Sequence, residues 1–97
     1  MFELYWTKRA EAEFNRLKSD TSLQKRYKAV KKTILLLSTN PRHNSLQTHE
    51  FSSITGPNGE KIFEAYAEQS TPEAYRVFWF YGPSRDAITI FAITRHP

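Results

Sequence analysis

The chain has 97 residues, with 14 Lys or Arg, 10 Asp or Glu and no cysteine. That length makes a single domain, residues 1–97, able to bury one modest core. The missing cysteines exclude disulfides and thiolate metal sites, and an intracellular, cytoplasmic protein is the simplest reading. No apolar run approaches the ~18 residues that span a bilayer. The N-terminal stretch also lacks the basic and apolar regions of a signal peptide, so a soluble protein without membrane contact is expected. The net charge of +4 is unevenly spread: Lys8–Lys32 holds nine basic against three acidic residues, and Pro41 onward holds five against six. Positive charge gathered in one third of a chain points to a polyanion or an acidic protein as partner.

Phe2–Trp6 alternates as a short strand. Thr7 is placed to cap a helix over about Lys8–Lys18, because its hydroxyl can accept from an amide one turn in. Ala10, Phe14 and Leu17 then fall on one apolar face. After the turn Ser19–Ser22, Leu23, Tyr27, Val30, Ile34 and Leu37 repeat at spacings of four and three, which predicts a second helix over about Ser22–Ser38. Lys25, Lys28 and Lys32 share its opposite face, with Lys31 beside them. Asn40-Pro41 ends it, since proline disfavours helical geometry in the residue before it.

Arg42–Gly59 is rich in His, Asn, Ser, Thr and Gly and reads as an irregular crossover, pinned to the core by Leu46, Phe51 and Ile54 and closed by the turn Pro57-Asn58-Gly59. Lys61–Glu68 alternates as a half-buried strand. Ala74–Tyr81 and Ile88–Thr94, separated by Gly82-Pro83-Ser84-Arg85-Asp86, read as a hairpin. The expected order is β-α-α-β-β-β. This is an α+β fold with an N-terminal strand and a helical hairpin packed on one face of a small, mostly antiparallel four-stranded sheet. One face is then free of helices. Alternation puts Tyr75, Val77 and Trp79 inward and Arg76, Phe78 and Phe80 on the free face, with Glu64 and Tyr66 of the preceding strand.

With these elements in place, the whole chain resembles the RelE/ParE superfamily of bacterial toxins, the toxin halves of type II toxin–antitoxin systems. The resemblance lies in the element order, in Leu46 and His49 before a glycine-containing turn, in Ala74-Tyr75-Arg76-Val77, and in the closing run Ile90-Phe91-Ala92-Ile93-Thr94-Arg95-His96. For the RNA-cleaving branch it implies docking in the ribosomal A site and cutting of mRNA without metal or other cofactor, the 2′-hydroxyl attacking its neighbouring phosphate. An arginine at the position of Arg76 steadies the phosphorane. A histidine at the position of His96 protonates the leaving 5′-oxygen. A cognate antitoxin, the ribosome and mRNA are the implied partners. The runner-up within the superfamily is a ParE-like toxin that binds a protein such as DNA gyrase, and a third reading is a member that has lost toxicity.

The chemistry asks for the same residue types independently. Proton transfer at phosphorus suits imidazole, and fixed positive charge at the equatorial oxygens suits arginine, which does not deprotonate. The three histidines, His43, His49 and His96, have no ligand-like spacing, so no metal is expected. The chain departs from the family where some members carry lysines on the strand matching Lys61–Glu68. Here Glu64 and Tyr66 stand there, Glu64 as a candidate base and Tyr66 as a candidate stacking platform for a nucleotide. Asn44 stands near a position that is a carboxylate in others, leaving His43 or His49 as substitutes, and Pro97 replaces a frequent aromatic. Arg95, Lys25, Lys28 and Lys32 complete the candidate RNA-binding set through phosphate contacts. Arg76 has a second reading, as the partner of Glu64 or Glu68 in an internal salt bridge.

Overall fold

The structure, a computed structural model, describes residues 1–69, 71 and 73–95. The first strand, β1 (Glu3–Trp6), leads into α1 (Lys8–Ser19), a 3₁₀ turn at Thr21–Leu23 and α2 (Gln24–Thr39). The Thr7 hydroxyl accepts from the Ala10 amide at 3.0 Å, as its position predicts. Ala10 and Leu17 are buried, and Phe14 packs between Trp6 and Tyr27 with ring centroids 5.2 and 5.3 Å away. On α2, Val30, Ile34 and Leu37 are buried together with Thr33 and Ser38. Those two hydroxyls donate to the carbonyls of Ala29 and Leu35 on the same helix, so neither is buried without an acceptor. At the end of α2 the Ser38 carbonyl, one of the last four that no helical amide can reach, accepts from the Phe2 amide at 2.6 Å.

A second 3₁₀ turn (Asn44–Leu46) precedes β2 (His49–Thr55), β3 (Lys61–Tyr66), β4 (Tyr75–Tyr81) and β5 (Ala87–Arg95). Among the described residues the sheet has five strands in the order β1-β5-β4-β3-β2, with β1 parallel to β5 and the other pairs antiparallel. The fold class is the expected one, but the strand count is corrected from four to five, because His49–Thr55 is a strand and not an irregular crossover. That segment shows no period-two alternation: only Phe51 is half-buried and its other six residues are exposed. It is an edge strand held by backbone pairing near its ends, His49↔Glu64 and Glu50↔Phe63 at one and Thr55↔Lys61 at the other, with a register shift between. The turn that closes it places Gly59 at φ +82°, where a side chain is strained. Of the three residues expected to pin this segment, Leu46 is in the main core and Phe51 packs on the opposite face of the sheet against Phe78. The third, Ile54, is exposed.

The main core lies between the helices and the face carrying Ala65, Val77, Trp79, Ile88, Ile90 and Ile93. A smaller apolar cluster of Ile62, Phe78, Phe80 and Ala92, with Phe51 and Phe91 against it, occupies the other face. The pairing Phe78↔Ala92 followed by Trp79↔Ile90 leaves Phe91 as an extra residue on β5. This bulge keeps Ile88, Ile90 and Ile93 facing the helices while Phe91 and Ala92 both face away. The start of α1 secures it: the Thr7 amide and hydroxyl donate to the carbonyls of Ile90 and Phe91, and Glu13 accepts from the Ile93 amide at 2.8 Å.

Candidate active site

The polar end of the helix-free face is built by strand register. Tyr66 of β3 lies directly opposite Arg76 of β4, and such cross-strand neighbours have side chains in contact. The Arg76 guanidinium accordingly sits over the Tyr66 ring, 3.7 Å from its centroid, a cation–π arrangement. Its NH1 donates to the carbonyls of Glu68 (2.7 Å) and Tyr75 (3.2 Å). Its Nε lies 3.7 Å from Oε2 of Glu64. Arg76 is 8% exposed and Glu64 is fully buried.

The other Glu64 oxygen, Oε1, is 2.8 Å from Nε2 of His49, its pairing partner on β2. A buried carboxylate costs heavily unless paired, and here an arginine and a histidine from the two neighbouring strands flank it. The half-exposed His49 ring also meets Tyr66 edge-on at 5.7 Å. Its Nδ1 is 3.0 Å from the Gln47 carbonyl, so each ring nitrogen lies against an oxygen, and the tautomer decides which of them donates. Gln47 itself holds a left-handed conformation, φ 49°, uncommon for a residue with a Cβ. It ends the 3₁₀ turn and turns the chain into β2. His43 plays a different part: its Nδ1 faces the amide and hydroxyl of Ser45 and caps that same turn.

Among the expected site residues, the structure brings together Arg76, Glu64 and Tyr66 and joins to them His49, one of the two histidines considered as a substitute base. Only the β2–β3 register reveals His49, and a segment without alternation gives no sequence signal for register. Arg95 lies apart at the end of β5, in an exposed ion pair with Glu73 at 2.8 Å. His96 lies outside the described residues. Glu68 is occupied by Arg26 at 2.9 Å and by the Tyr75 amide, so of the two carboxylates considered for Arg76 it is Glu64 that approaches it.

Lys25, Lys28 and Lys32 are exposed on α2; none of them forms an ion pair among the described residues. Lys32 and Tyr66 nevertheless both line one hollow of about 260 Å³. Tyr66 is therefore common to the buried charge cluster and to the basic helix face. At the other, apolar end of the same sheet face, Phe51, Ile54, Phe78 and Ala92 line a groove of about 370 Å³ with Arg9 and Thr94. The described residues contain no cluster of three or more His, Asp or Glu suited to a metal, and no described helix is long and apolar enough to cross a membrane.

A scan against protein-family models and a search of curated proteins return no match. Solved structures do match. A YoeB/ParE toxin from Agrobacterium tumefaciens superposes with a TM-score of 0.71 at 12% identity, over 98% of this chain and 99% of that one. A YoeB dimer from Staphylococcus aureus gives 0.66 at 12% identity, over 99% and 98%. A chain of the intact E. coli RelBE toxin–antitoxin complex gives 0.62 at 11% identity, over 100% and 99%. At such identities the shared property is the fold, and it runs the full length of the chain.

Proposed function

We propose that this chain, which has the fold of the RelE/ParE toxins, is the toxin of a toxin–antitoxin pair and cuts mRNA on the ribosome without a metal. The observation that carries this reading is the position of Tyr66. It joins a cluster of arginine, histidine and carboxylate on the helix-free face to a helix surface whose Lys25, Lys28 and Lys32 form no ion pair among the described residues. The lysines supply phosphate contacts without sequence preference, and Tyr66 supplies a ring for a base. Arg76 supplies the fixed charge that phosphorane formation needs. In the step proposed, the 2′-oxygen bonds to phosphorus and its proton passes to a base. The bond to the 5′-oxygen breaks, and that oxygen takes a proton from His96. The products are a cyclic phosphate and a free 5′-hydroxyl. The architecture shared with a chain of the RelBE complex supports an antitoxin as the physiological partner.

A second reading, a ParE-like toxin acting by binding a protein target, is favoured by two particulars. Arg76 is buried beside Glu64, which offsets its charge, and an apolar groove lies on the same face. Purified ribosomes carrying mRNA in the A site, assayed beside a gyrase supercoiling reaction, separate the two. Cutting of mRNA with supercoiling intact is expected; inhibited supercoiling without cutting selects the second reading.

A further inference from the structure

We propose that the hollow between α2 and the end of β3 is a subsite for one nucleotide of single-stranded RNA. This inference rests on the RNA-directed reading above and adds to it a site and a ligand class. The hollow holds about 260 Å³, below the ~300–1,000 Å³ of sites for drug-sized ligands, which suits a single base rather than an extended molecule. Its walls divide by chemistry. Ala29, Leu36, Leu46 and Ala67 supply apolar lining, Thr33 and Ser45 hydroxyls, and Lys32, Tyr66 and Gln69 the larger polar or aromatic groups.

The last three each have something to offer a nucleotide. Tyr66 presents an aromatic ring whose stacking partner on the protein side is already fixed as Arg76, so the ring is held rather than free to turn. Lys32 is exposed and forms no ion pair among the described residues, which leaves its ammonium for a phosphate. The Gln69 amide carries both donors and acceptors, the requirement for reading a base edge. The approach is open as well, since β2 pairs with β3 only as far as His49↔Glu64 and leaves Tyr66 beyond the covered edge. A strand of RNA whose phosphates follow Lys25, Lys28 and Lys32 along α2 thereby delivers a base next to Tyr66, beside the Arg76 cluster. Among the described residues the lining holds a cation and no carboxylate, which matches a ligand that carries phosphate and a base together, and the observations therefore favour RNA; an acidic protein side chain is the alternative that the test separates.

The test is binding of a short fluorescent single-stranded RNA, intact or carrying one abasic position, by anisotropy at low salt. Ala29→Leu fills the hollow from a partly exposed helix position with a residue that forms helices nearly as well as alanine. For the wild type, an abasic nucleotide at one position is expected to lower affinity about tenfold, the scale of one base–aromatic stack. Ala29→Leu is expected to weaken binding of the intact RNA by the same factor and to abolish the abasic effect, with an unchanged melting curve. If the melting curve does change, Leu36→Phe plugs the hollow from two turns further along. Unchanged RNA affinity with the hollow filled, or an abasic effect that survives the plug, overturns the subsite. A plug that spares RNA binding but weakens binding of the antitoxin assigns the hollow to protein docking instead. A wild type that binds no free RNA removes the subsite while leaving cutting on the ribosome, measured separately, as it was.

Discussion

The two faces of the sheet carry alternate residues of the same strands, and they are buried by different means. On one, Ala65, Val77, Trp79, Ile90 and Ile93 pack under two helices. On the other, no helix lies over Ile62, Glu64, Arg76, Phe78 and Phe80, yet all five are buried. That second face covers itself: Phe51 leans on Phe78 at 5.2 Å, Tyr66 lies under the Arg76 guanidinium, and His49 abuts Glu64. Burial under apolar helix faces favours apolar groups, whereas burial by neighbouring polar side chains allows charges that satisfy one another. A face of the second kind is where a small domain can hold ionisable groups together next to solvent.

The contrast can be broken from either side. Trp79→Ala removes the largest fully buried side chain of the helix-covered face and should cost ~3–5 kcal/mol, read by denaturant melts, while cutting per folded molecule stays as it was. A loss of activity beyond the unfolded fraction would show that the two faces are not separable. Glu64→Ala should cost ~3 kcal/mol, the low end for breaking a buried pair, because His49 is half-exposed and Arg76 is 3.7 Å away. A variant as stable as wild type would mean that Arg76 does not depend on this carboxylate.

Smaller effects test the helix surface and its ends. Replacing Lys25, Lys28 and Lys32 together by Gln should reduce the salt dependence of RNA or ribosome binding by about 2 in slope, at ~0.7 for each phosphate no longer neutralised. An unchanged slope would return these lysines to a merely solvated surface. The smallest effect concerns Asp20. Hydrogen bonds from the Ser22 hydroxyl and amide hold its carboxyl below the ordinary value of 3.8. A depressed pKa in the folded state stabilises the protein above that value and ceases to do so as pH falls through the folded one. The stability gap between wild type and Asp20→Asn should therefore be constant from neutral pH down to about 4 and close below it. A gap that persists at lower pH would assign the effect to hydrogen bonding alone.

Most of this architecture was legible in the sequence, for reasons that differ by element. The helices show in the apolar spacing and in Thr7, and the alternation of Lys61–Glu68 and Ala74–Tyr81 is enough to place Glu64, Tyr66 and Arg76 on the free face. The fifth strand was not legible, because six of its seven residues are exposed and it follows backbone pairing rather than a side-chain pattern. The Phe91 bulge was hidden inside the continuous apolar run Ile90–Ile93, where a skipped residue leaves no mark. His49 went unplaced for the first of these reasons: its contact with Glu64 exists only in one register of an edge strand.

The central claim is that the polar end of the helix-free face handles a scissile phosphate. The most direct measurement is the rate at which wild type, Arg76→Ala and His96→Gln cut mRNA held in the A site of purified ribosomes, with each variant's folded fraction determined alongside. Wild type is expected to cut, and each variant, per folded molecule, to be slower by at least ~100-fold, the lower bound for an acid–base group such as His96 and for a group that stabilises transition-state charge such as Arg76. Cutting at the wild-type rate by both variants would contradict that claim.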